Sequence, residues 1–126
     1  MTKYTIVKTN DVPNYAKNGE MRMMRNALES EQIALTYRLI PAGYKSAHGH
    51  THTKIDEVIF IFKGILKIKL DDDIIEVGPK TAIKIPPETK RGYHNEGTED
   101  VEMIIASPQV AFVGDNDGKP DENWWK

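Results

Sequence analysis

The middle of the chain is a series of short apolar runs separated by turn residues. Residues 57–62 (EVIFIF) are rich in β-branched and aromatic side chains, and Gly64 ends the run. In residues 65–70 (ILKIKL), Leu66, Ile68 and Leu70 alternate with Lys67 and Lys69, the period-two pattern of a half-buried strand. Asp71, Asp72 and Asp73 predict a hairpin turn before a strand over 74–77. Gly78-Pro79 predicts a further turn, 82–85 a strand, and Pro86-Pro87 a break. Residues 101–106 (VEMIIA) and 110–113 continue the series, and 33–40 (IALTYRLI) and 5–8 are strand candidates upstream. Residues 24–32 contain helix formers without helical periodicity, enough for a single turn. Short strands at this spacing predict an all-β sandwich or barrel.

Composition narrows the class. A chain of 126 residues, 39% hydrophobic and 29% charged, is the size of one domain, 1–126. A net charge of −2 gives no reason to expect nucleic acid or an anionic membrane as partner. No apolar run approaches the roughly 20 residues needed to span a bilayer. Residues 1–8 lack a secretory pattern, so the expectation is a cytoplasmic protein. There is no cysteine, which excludes disulfides, thiolate ligands and a cysteine nucleophile. Met21, Met23 and Met24 fit plastic core or interface fillers. Asp115, Asn116, Asp117 and Gly118 lack the further acidic ligands of a calcium loop and are read as a turn. Trp124 and Trp125 are costly to leave in water, so they are expected to cap the barrel or pack on a neighbouring subunit.

Chemistry concentrates in one run. His48, His50 and His52 are three of the chain's four histidines and fall within five residues. In an extended chain, residues two apart share a side, so His50 and His52 present two imidazoles to one point. Glu57 follows five residues later, and a fold-back between them adds its carboxylate. Two neutral imidazoles and a carboxylate suit a divalent transition metal, Fe, Mn, Zn or Ni. The plainer alternative is a patch of exposed histidines. Asp71 to Asp73 and Asp56 are read as solvated charge.

Gly43, His50-x-His52, four residues, Glu57, six residues and Gly64 resemble the first motif of the cupins, with one residue more between Gly43 and His50 than the family pattern has. Residues 78–95, from Gly78 through Ile83, Ile85 and Pro86-Pro87 to Asn95, resemble the second motif. Motif one therefore spans 43–64 and motif two 78–95. The resemblance implies a double-stranded β-helix, or jelly-roll barrel, with a site inside its mouth. It also implies a fourth metal ligand, a histidine with three residues between it and the motif's asparagine. Here that position is Arg91, which is permanently protonated and donates no lone pair to a metal. His94 falls on the face opposite Arg91, Tyr93 and Asn95 unless a bulge turns it inward, and with His48 it is the candidate extra ligand.

Three readings follow. In the first, His50, His52 and Glu57 hold a metal, and Arg91, Tyr93 and Asn95 face a small anionic metabolite, as in a metal-dependent dioxygenase or isomerase. In the second, the site is a metal-free, non-catalytic pocket or regulatory module for an anionic small molecule. In the third, the barrel is structural. With Glu57, Ile59 and Ile61 inward, Val58, Phe60 and Phe62 point outward, and a strand apolar on both faces is normally covered on both, so a homodimer is expected.

Overall fold

The computed structural model describes residues 4–52, 54–108, 124 and 125. Alternation builds the architecture directly. Among these residues nine strands form two antiparallel sheets: β1 (Glu20–Met23), β2 (Ile33–Ile40), β3 (His50–Thr51), β4 (Glu57–Lys63), β5 (Leu66–Leu70), β6 (Asp73–Val77), β7 (Thr81–Ile85), β8 (Lys90–His94) and β9 (Val101–Pro108). The larger sheet has the order β1-β2-β9-β4-β7 and the smaller β3-β8-β5-β6. The inward residues of both sheets form one core: Ile40, Ile59, Ile61, Leu66, Ile68, Val77, Ile85, Tyr93, Val101 and Met103. Register shows why the period-two pattern works. Ile59 faces Ile105 and Ile83 in neighbouring strands, and Ile68 faces Tyr93 and Ile75, so these two inward rungs are apolar across their sheets. This is one of the two all-β forms, sandwich or barrel, that the spacing of the apolar runs predicts, and the jelly-roll barrel that the motif resemblance implies.

The turns carry their own chemistry. Gly64 adopts φ 83° between β4 and β5, and a Cβ there would lie 2.8 Å from the Asp100 carbonyl oxygen, so glycine is required twice over. Asp71 turns β5 into β6 at φ 50°, and its carboxylate accepts the Lys90 amide hydrogen, tying this hairpin to the start of β8.

Some elements differ from expectation. Residues 5–8 form no strand: Ile6 is 82% exposed, no neighbouring strand pairs with the segment, and a 3-10 turn, Thr9–Asp11, follows. The helix-forming stretch yields one turn, α1 (Arg25–Leu28), closed by Glu29 in the left-handed region. Met21 and Met23 belong to β1, a strand the sequence pattern did not announce. The predicted strand over 110–113 and the turn at 115–118 lie outside the described residues. Trp124 is 5% exposed and packs on the outer wall of its own barrel: a Cβ on Gly49 or Gly92 would meet its indole at 2.6 and 2.4 Å. Among the described residues no helix is long and apolar enough to cross a membrane.

Candidate functional site

Three strands and one turn position the polar interior. β3 is only two residues long, and its His50 is register partner to Arg91 of β8. His52 lies just beyond β3, where its carbonyl accepts the Glu88 amide hydrogen at 2.6 Å. Glu88 follows Pro86-Pro87 and sits at φ 68°, so the proline break serves to hold the histidine segment. Glu57 begins β4 opposite Ile85, and alternation through Ile59 and Ile61 keeps it on the inner face.

The side chains meet inside. The His50 and His52 rings lie 5.2 Å apart, edge to face. His52 Nε2 is 3.7 Å from Glu57 Oε2, and Arg91 Nε is 3.8 Å from Glu57 Oε1. Arg91 is wholly buried. Its Nε, Nη1 and Nη2 all lack a hydrogen-bond partner, as does Glu57 Oε1. Guanidinium and carboxylate thus face each other slightly beyond hydrogen-bond distance. Burial pushes the His50 imidazole down to about 4, and the positive fields of His52, Arg91, His48 and Arg38 add to it. His50 is therefore neutral at physiological pH, with a ring lone pair available.

Tyr93 is buried beside this group, and burial with the Glu57 charge holds its phenol protonated well above the usual range. Asn95 corrects an expectation. Its Nδ2 donates to the Ile40 and Glu99 carbonyls, and its Oδ1 accepts from the Gly97 amide. With every polar side-chain atom engaged by backbone, Asn95 closes the loop after β8 and has none left for a ligand. His94 also departs from the ligand set. No bulge turns it inward; it pairs with outward-facing Lys67, meets Trp125 edge-on at 5.7 Å and lies 3.4 Å from Glu96. His48 is exposed.

Arg38 is the interior residue that sequence reasoning missed. It lies on β2 opposite Met103, which is fully buried, so its side chain enters the barrel. Its guanidinium sits 5.9 Å from the ring centroids of both Tyr44 and Tyr93. The signal was present in IALTYRLI as an arginine two residues before Ile40, but the facing register needed to orient it is not in the sequence.

The donor chemistry of His50, His52 and Glu57 fits a divalent cation: a neutral imidazole, a second imidazole, and a buried carboxylate oxygen awaiting a partner. As the side chains stand, however, no group of three His, Asp or Glu among the described residues is arranged to hold a metal ion, so His50, His52 and Glu57 would have to draw together to bind one.

The structure is thus a two-sheet antiparallel barrel with imidazoles, a carboxylate and an arginine inside. The cupin domain family matches residues 36–107, and the chain belongs to that family. Its solved structural relatives share the fold. A cupin protein from Bacteroides fragilis is 18% identical with a TM-score of 0.73, covering 88% of each chain. A polyketide cyclase from Streptomyces resistomycificus is 22% identical with a TM-score of 0.71, covering 86% of this chain and 80% of that one. A sugar phosphate isomerase of the cupin superfamily from Silicibacter pomeroyi is 16% identical with a TM-score of 0.67, covering 74% of this chain and 60% of that one. No curated protein matches the chain.

Proposed function

We propose that the barrel binds a small anionic metabolite on Arg91, beside a divalent transition metal held by His50, His52 and Glu57. The observation that carries this reading is the Arg91 guanidinium, wholly buried with none of its three nitrogens hydrogen-bonded. A buried cation that makes no hydrogen bond and has one carboxylate only at 3.8 Å is costly, and an oxyanion bound across the fork would offset that cost. Bound beside it, the metal would supply Lewis acidity or a site for O₂, the chemistry of an isomerase or a dioxygenase. Arg91 orients the anionic end of the ligand, and Tyr93 supplies a phenol that stays protonated as a donor. The relatives named as a polyketide cyclase and a sugar phosphate isomerase illustrate that this fold hosts several chemistries.

A second reading has its own support. The 3.8 Å approach of Arg91 to Glu57, and the lack among the described residues of three His, Asp or Glu side chains arranged to hold a metal, suit a metal-free binding module, in which the arginine takes over the positive role of a metal. Calorimetric titration with malonate, with and without EDTA, separates the two. The metal reading predicts binding that weakens at least tenfold in EDTA and is lost in Arg91→Gln. Equal affinity in EDTA supports the module, and malonate binding unchanged by Arg91→Gln contradicts both.

A further inference from the structure

Two cations on facing sheets, Arg91 wholly buried and Arg38 half-buried, point at one interior. Arg91 comes from β8 of the smaller sheet and Arg38 from β2 of the larger. The Arg38 guanidinium crosses the barrel far enough to lie 5.9 Å from the Tyr93 ring, and Tyr93 is two residues from Arg91 on the same face of β8. Residues two apart on a strand are about 6–7 Å apart, which brings the two guanidinium groups into one neighbourhood. Arg38 is steadied between Tyr44 and Tyr93 by cation–π contact. Its Nε is buried without a hydrogen-bond partner, like all three nitrogens of Arg91. Among the described residues Arg38 has no carboxylate partner, and the nearest acid to Arg91 is Glu57 at 3.8 Å.

The charges in this interior do not balance. Among the described residues, two guanidinium cations stand against the Glu57 carboxylate, before any metal adds to the positive side. Each guanidinium is a planar fork that matches a carboxylate or phosphate edge. We propose that Arg38 and Arg91 form a clamp for a doubly charged oxyanion, either a phosphate group or a dicarboxylate, with Arg38 as the second anchor that selects dianions over monoanions. This rests on the reading of Arg91 as an anion anchor and extends it by naming the class of ligand.

The test uses the full chain at pH 8 and constant ionic strength, titrated by calorimetry with inorganic phosphate, malonate and acetate. The wild type is expected to bind phosphate or malonate at least tenfold more tightly than acetate, and the tighter of the two identifies which dianion the clamp fits. In Arg38→Gln the preference should fall to within about threefold while acetate binding changes little. Arg38→Lys, which keeps a cation over the tyrosine rings, should retain part of the preference and guards against a variant that merely misfolds. If the wild type binds acetate as well as either dianion, or Arg38→Gln keeps the full preference, the clamp is wrong while the Arg91 anchor stands. If the wild type binds none of the three anions, the anchor reading itself falls and the clamp with it.

Discussion

Arg91 stands where the family pattern places a metal-binding histidine, and the spacing to Asn95 alone was enough to find it. Its environment was not legible: that its nitrogens have no hydrogen-bond partner follows from the positions of Glu57 and His50, which only the folded barrel brings close. Asn95 shows the reverse case. Its place in the motif was readable, but its role was not, because the Ile40 and Glu99 carbonyls that hold it lie far along the chain or in a loop. Two outcomes are predicted at this scale. Arg91→His exchanges a cation for a neutral donor beside Glu57 and should tighten Mn(II) or Zn(II) binding at least tenfold; weaker binding would show that position 91 does not face the donor set. His50 has a folded pKa lowered to about 4 from 6.5. Between these values the unfolded chain binds a proton that the folded chain excludes, so this contribution is fully present above about pH 6.5 and is lost as pH falls toward 4. In EDTA-treated protein, denaturant midpoints should drop over that window by an amount equivalent to at most about 3 kcal/mol, and His50→Gln should flatten the drop. An equally steep drop in the variant would assign it elsewhere.

The strands with clean alternation, β4 and β5, were legible because each has an apolar inner face independent of its neighbours. β1, β3 and β8 were hidden for a physical reason. Their strand character comes from pairing: EMRM, HT and KRGYH have little β propensity, and β3 exists only by pairing with β8. Residues 5–8 have the propensity and lack a partner, so they stay irregular. The β3–β8 ladder is buttressed from outside by Trp124, which lies over Gly49, next to His50, and over Gly92, next to Arg91. Its carbonyl accepts from Lys69 Nζ at 2.6 Å, and Trp125 Nε1 donates to the Ser46 carbonyl at 2.8 Å. Gly92→Ala places a methyl 2.4 Å from Trp124 Nε1 and should destabilise the protein by roughly 1–3 kcal/mol. The chain has two tryptophans, so displacement of this contact should also shift intrinsic emission to the red. Unchanged stability and emission would show that the tail does not bear on the ladder.

At the scale of the molecule, the outer face of the larger sheet is unusually apolar. Val58, Phe60 and Phe62 are 41, 41 and 42% exposed, and register places Ile104 and Ala106 of β9 beside them, with Leu35 and Tyr37 of β2 next in line. A contiguous apolar sheet face of this kind favours association, and a two-fold contact between copies is the commonest form. Light scattering at micromolar concentration should give about twice the 14.3 kDa of one chain, and Phe60→Lys should reduce it to one. A mass of one chain for the wild type would show that the face is covered within the chain.

The reading of the interior as a metal and anion site is most exposed to elemental analysis of the untagged full chain, incubated in turn with Mn(II), Fe(II), Zn(II) and Ni(II) and then desalted. The predicted result is about one metal per chain for at least one of the four, lost in His50→Ala and in Glu57→Gln. A chain that retains no metal after all four incubations, or one whose metal survives both substitutions, would contradict the assignment of His50, His52 and Glu57 as its ligands.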